Sequence, residues 1–128
     1  MASDSLNFFI VPVKIVSEAN NRDHWRTKWA RGKRLKKYTQ IYWNNTFKDK
    51  IKLPVEIKLV RIAPRSLDYD NLVISFKSVV DCIADIIVPG MAMGQADSTP
   101  GLKFSYAQEK AKQYGFRVEV HQASKDSK

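Results

Sequence analysis

A single small α+β domain, with helices packed on a mixed sheet, is what this sequence predicts. Three observations lead there. Four stretches, near residues 7–16, 50–63, 102–106 and 114–120, run apolar or alternate as strands do. Two longer stretches, near 22–47 and 71–87, change to a helical spacing of three or four residues. The 128 residues, 44% hydrophobic and 27% charged, suit one core of ordinary composition. The expected order is β-α-β-α-β-β, one domain over residues 1–128 with an ordered core at 6–122 and a frayed tail at 123–128.

Each element has its own signal. Residues 7–16 (NFFIVPVKIV) are apolar and β-branched, and Pro12 removes a ladder donor, which places a strand edge or a break there. Residues 17–21 form a polar turn. In 22–47, Trp25, Trp29, Tyr38, Ile41 and Tyr42 set the helical spacing, and Gly32 is expected to bend or divide that helix. Trp25 and Trp29, one turn apart, are expected in the core. Val55, Ile57 and Leu59 share one face of the second strand, which Pro64 ends. Leu72, Phe76, Val79, Val80, Ile83 and Ile87 form a broad apolar stripe on the second helix, and Cys82 packs beside it. Residues 88–101 make a long loop with three glycines and two prolines. The last two strands, joined by a polar connection at 109–113, are expected to pair as an antiparallel hairpin.

Charge and motif content narrow the chemistry. Twenty-two Lys and Arg against thirteen Asp and Glu give a formal charge of +9, which suits a polyanionic partner. Eight cations fall within residues 22–37: Arg22, Arg26, Lys28, Arg31, Lys33, Arg34, Lys36 and Lys37, opposed only by Asp23. Such a run repels itself unless an anion compensates, and phosphates of a nucleic acid would do so without strong sequence readout. Against that background Asp68-Tyr69-Asp70 is the exception. Two carboxylates one residue apart in an extended turn would face the same way and repel unless a cation such as Mg²⁺ sits between them. The bland alternative makes Asp70 a helix cap and Asp68 ordinary turn chemistry. Asp97, ahead of the third strand, is expected to approach the same end of the sheet. Lys77 either reaches a phosphate or pairs with Asp81 one turn along.

Other classes are excluded. The single cysteine rules out an internal disulfide and a thiolate cluster, and His24 and His121 have no partner at zinc-ligand spacing. No glycine-rich phosphate loop, hence no nucleotide cofactor, and no serine nucleophile elbow is present. No apolar run reaches the ~18 residues a membrane span needs. The start lacks a basic secretory n-region, so the cytoplasm is the expected compartment.

The motif Asp68-Tyr69-Asp70-Asn71-Leu72 resembles the D-x-D-N-L motif of the RusA-type Holliday junction resolvases, small endonucleases often encoded by phages. The segments 20–25, 76–85 and Ala96-Asp97 are similar to the corresponding segments of that family. The resemblance implies a RusA-like fold and a homodimer making paired symmetric nicks in four-way DNA junctions. Asp68, Asp70 and Asp97 would then hold Mg²⁺, with Mn²⁺ as a substitute, and Asn71 would contact DNA. Where many members carry a lysine four residues after the second motif Asp, this chain has Ile74, and Lys77 is the nearest replacement. Two other readings stand beside it: a non-catalytic DNA-binding protein that uses the basic face, and a nuclease of other branched DNA.

Overall fold

The computed structural model describes residues 5–16, 24–89 and 100–122. Seven elements occur among them: β1 (Ser5–Val11), α1 (Trp25–Thr46), β2 (Val55–Ala63), α2 (Tyr69–Ser75), α3 (Lys77–Ile87), β3 (Leu102–Lys110) and β4 (Gly115–Gln122). They form a small α+β domain with one mixed four-stranded sheet in the order β1-β4-β2-β3. β4 is antiparallel to both β1 and β2, whereas β2 and β3 are parallel.

Strand alternation sorts the sheet into two faces. Phe9, Val118, Leu59 and Tyr106 lie in one register row, and Asn7, Val120, Ile57 and Phe104 in another, all pointing to the same side. That side and the helices share one core: Phe9 packs on Tyr42, Trp43 and Phe47 of the α1 end, and Phe76 packs edge-on to Phe116. The expected inward residues Val55, Ile57 and Leu59 are buried, as is the whole stripe Leu72, Phe76, Val79, Val80, Ile83 and Ile87. Pro12 ends β1, which is also an edge strand.

Four expectations are corrected. The last two strands do not pair: β2 lies between them, and the connection crosses the end of β2, where the Ala111 N–H donates to the Ala63 carbonyl. A short polar link is compatible with either arrangement, so local pattern could not choose between them. Parallel β2 and β3 require a crossover, and α2 with α3 supplies it. The second helical stretch breaks at Phe76, whose ring is fully buried against Phe116 and Tyr106. The buried Ser75 hydroxyl donates to the Asn71 carbonyl at the same point.

The first helical stretch, by contrast, continues through Gly32 as one 22-residue helix. Gly32 is there for close approach: a Cβ would lie 2.8 Å from the Ser78 Oγ on α3. One turn further, the Cys82 Sγ donates to the Lys36 carbonyl at 3.4 Å, so the two helices run side by side in the same sense. Finally, Trp25 and Trp29 are not in the core; they are 64% and 60% exposed, whereas Trp43 is 3% exposed. Leu35, Thr39 and Trp43 supply the buried seam of α1, which begins at the middle of the helix.

Candidate functional site

The acidic turn leaves the C-terminal end of β2 and enters α2. Asp68 occupies the N-cap position with φ −59° and ψ 152°, and Asp70 lies in the first turn of the helix. Because Asp70 is already helical, the two do not share one extended face as the sequence suggested. The capping alternative is also not met: Asp68 makes no side-chain cap hydrogen bond, and Asp70 is past the cap position. Both side chains are exposed, and neither has a salt-bridge partner among the described residues. Between them Tyr69 rests edge-on against Tyr106 of β3, ring centroids 6.2 Å apart.

The turn is tied to the sheet by two side chains that sequence reading passed over. Gln108 on β3 clamps Leu67 through both amide groups: the Leu67 N–H donates to its Oε1 at 2.7 Å, and its Nε2 donates to the Leu67 carbonyl at 2.8 Å. Arg61 on β2, directly beside Gln108 in register, donates from Nη1 to the Arg65 carbonyl and from Nε to the Ile15 carbonyl. Arg61 as a whole is only 6% exposed, and burial pulls its guanidinium below its ordinary pKa. A signal for Arg61 was present in the sequence, since it holds the inward parity of Val55, Ile57 and Leu59 yet is charged. Gln108 carried no comparable mark.

The remaining site candidates fall in different places. Lys77 opens α3, and its Nζ lies 3.3 Å from Asp81 Oδ1, the expected i, i+4 pair. Asn71 is half-buried in α2, and its carbonyl accepts from Ser75. Asp97 and Arg22 lie outside the described residues. Chain re-entry occurs at Leu102, which pairs with Val55, at the opposite end of β2 from the acidic turn. The expected approach of Asp97 to that end concerns a residue outside the described ones, and β3 itself begins at the sheet end opposite Asp68. The cause is the parallel pairing of β2 and β3.

The other seven cations, Arg26, Lys28, Arg31, Lys33, Arg34, Lys36 and Lys37, all lie on α1. Arg26 and Lys33 rest against Trp25 and Trp29, at 5.4 and 4.6 Å from the ring centroids. His24, isolated in sequence, caps this helix: its Nδ1 accepts from the Arg26 N–H at 3.1 Å. The contacts of Gly32 and Lys36 with α3 bring the cationic helix alongside the element that follows the acidic turn.

Two solvent-facing carboxylates fit Mg²⁺, which is usually held by one or two carboxylates with water and substrate phosphate completing its shell. No cluster of three or more His, Cys, Asp or Glu side chains forms among the described residues. No described helix is long and apolar enough to cross a membrane. Comparison with protein-family models and with curated proteins finds no match to this chain.

Proposed function

We propose that this protein is a metal-dependent endodeoxyribonuclease of the RusA type, acting as a homodimer on branched DNA and on four-way junctions in particular. The observation that carries the reading is the exposed pair Asp68 and Asp70, with no side-chain cap bond and no ion-pair partner among the described residues, on a turn tied down by Arg61 and Gln108. Carboxylates on an anchored turn, without an ion-pair partner among the described residues, suit a cation site in an otherwise basic protein. Asp68 and Asp70 would hold the ion, and Asp97 is the proposed third ligand on sequence order alone. When bound, Mg²⁺ acidifies water and offsets charge on a phosphodiester. The cations of α1 would hold DNA arms through their phosphates, and a two-fold dimer would present two equal sites to a substrate needing two related cuts.

The test is Asp70→Asn with an end-labelled four-way junction, a flap and a duplex in Mg²⁺. The expected result is nicking of the junction by the parent chain and a loss of at least about 100-fold in the variant, consistent with removal of a group acting in the transition state. Undiminished nicking by Asp70→Asn removes the mechanism. Salt-sensitive binding with no cleavage by the parent chain assigns the protein to the binding-only class. Preference for the flap keeps the chemistry and changes the substrate.

A further inference from the structure

We infer that Trp25 and Trp29 form a stacking platform for unpaired nucleotides, with Arg26 and Lys33 engaging the adjoining phosphates. The inference rests on the nucleic-acid reading above and specifies which part of a branched substrate this helix takes: the bases that are not paired.

Three observations lead to it. First, two of the three tryptophans are more than half exposed, although their size and apolarity favour burial. Second, they stand four residues apart on one helix, hence on one face and about 6 Å apart along its axis. That separation exceeds a ~3.4 Å base step, so the rings suit an opened strand whose bases are splayed rather than a duplex that keeps its bases stacked inside. Third, each ring carries a cation, Arg26 beside Trp25 and Lys33 over Trp29, and α1 contains no Asp or Glu from end to end.

The third observation selects the occupant. An apolar protein surface covering the indoles would also bury these cations, which is costly without counter-charges. A second copy of α1 would bring like charges together. A partner that is aromatic and anionic at once satisfies both groups, and an unpaired nucleotide strand is one. Single-strand binders combine such basic tracks with aromatic stacking, and the interaction tolerates any base because every base has a π-face.

The experiment uses the full chain in EDTA, so that no cleavage occurs, titrated with a 20-nucleotide single-stranded DNA, an RNA of equal length, a 20-base-pair duplex and a four-way junction. Tryptophan emission and anisotropy of a dye on the nucleic acid are both followed. Single strands are expected to quench the exposed indoles, while the buried Trp43 keeps its emission as an internal reference. Trp25→Ala with Trp29→Ala is expected to abolish the quench and weaken single-strand binding by about 10- to 100-fold, with duplex binding changed less than about twofold. Trp25→Phe with Trp29→Phe should restore most of the affinity. The rings are exposed, so the melting temperature of each variant should stay at the parental value.

Equal losses on duplex and single strand would overturn the inference, as would unchanged single-strand affinity. Dissociation of an oligomer in sedimentation, or loss of binding to anionic vesicles, with single-strand affinity intact would also overturn it and reassign the rings to a self-contact or a lipid surface. A chain that stacks single strands but never nicks in Mg²⁺ refutes the nuclease reading alone. One that nicks but shows no quench refutes only the platform.

Discussion

Gln108 is the side chain through which the sheet dictates where Asp68 begins its helix. Its amide does for Leu67 what a neighbouring strand would do, satisfying one donor and one acceptor of a turn that has left the ladder. Gln108→Ala is expected to cost about 1–3 kcal/mol in urea unfolding, because both Leu67 groups lose their partner in a partly buried place. On the proposed nuclease reading it should also raise the Mg²⁺ concentration needed for half-maximal nicking by about 10- to 100-fold, the usual effect of removing a group that supports metal ligands. A stability loss with unaltered metal dependence would confine Gln108 to the fold. Cys82 illustrates the opposite case. Burial, more than the opposed effects of Lys36 and Asp85, pushes its thiol up to about 11, so it remains protonated and inert at neutral pH. Its function is to pack and to donate to the Lys36 carbonyl.

Among the elements, α1 is the one at odds with its own charge. Cations crowd its first half, where the positive end of the helix dipole already lies, and no acid stands in its first turn. Arg26 and Lys28, in the first turn, each cost about 0.3–1 kcal/mol at low ionic strength, and the buried seam of Leu35, Thr39 and Trp43 begins only at the middle of the helix. The melting temperature is therefore expected to rise by several degrees between 20 and about 300 mM NaCl, and further with a polyanion such as heparin. A melting temperature indifferent to salt would show that the repulsion is already compensated. The same charge that weakens the free helix would favour a phosphate-bearing partner. The exposed tryptophans sit on just this half.

For the whole molecule, the open side of the sheet sets the response to acid. Arg117 joins Glu109 and Glu119, and His121 joins Glu119. The hydrogen bond from Arg117 holds Glu109 below its ordinary value of 4.5. Burial acts to raise Glu119, but hydrogen bonds from Arg117 and His121 outweigh it and hold this group lower too. A carboxylate lowered in the folded state stabilises above its unfolded pKa and loses that contribution as pH falls through the folded value. Urea midpoints are thus expected to be flat from pH 7 to about 5 and to fall below 4.5, more steeply in the parent than in Arg117→Ala. Parallel curves for the two proteins would remove Arg117 from the acid response.

Periodicity and composition alone determined the number and order of β-segments, the helical stretches and the core-facing residues of β2 and of the stretch from Leu72 to Ile87. Alternation in Val55, Ile57 and Leu59 and the stripe from Leu72 to Ile87 record a face of an element, and a face is a local property. Tertiary structure alone decided that β2 lies between β3 and β4, that Gly32 marks a helix contact instead of a bend, and that Trp25 and Trp29 stand in solvent. Each of these depends on what a residue meets across the fold: Ala111 on Ala63, Ser78 on Gly32, and, among the described residues, no buried side chain in the first turns of α1. Spacing along the chain carries no record of such meetings, because many long-range packings satisfy the same local pattern.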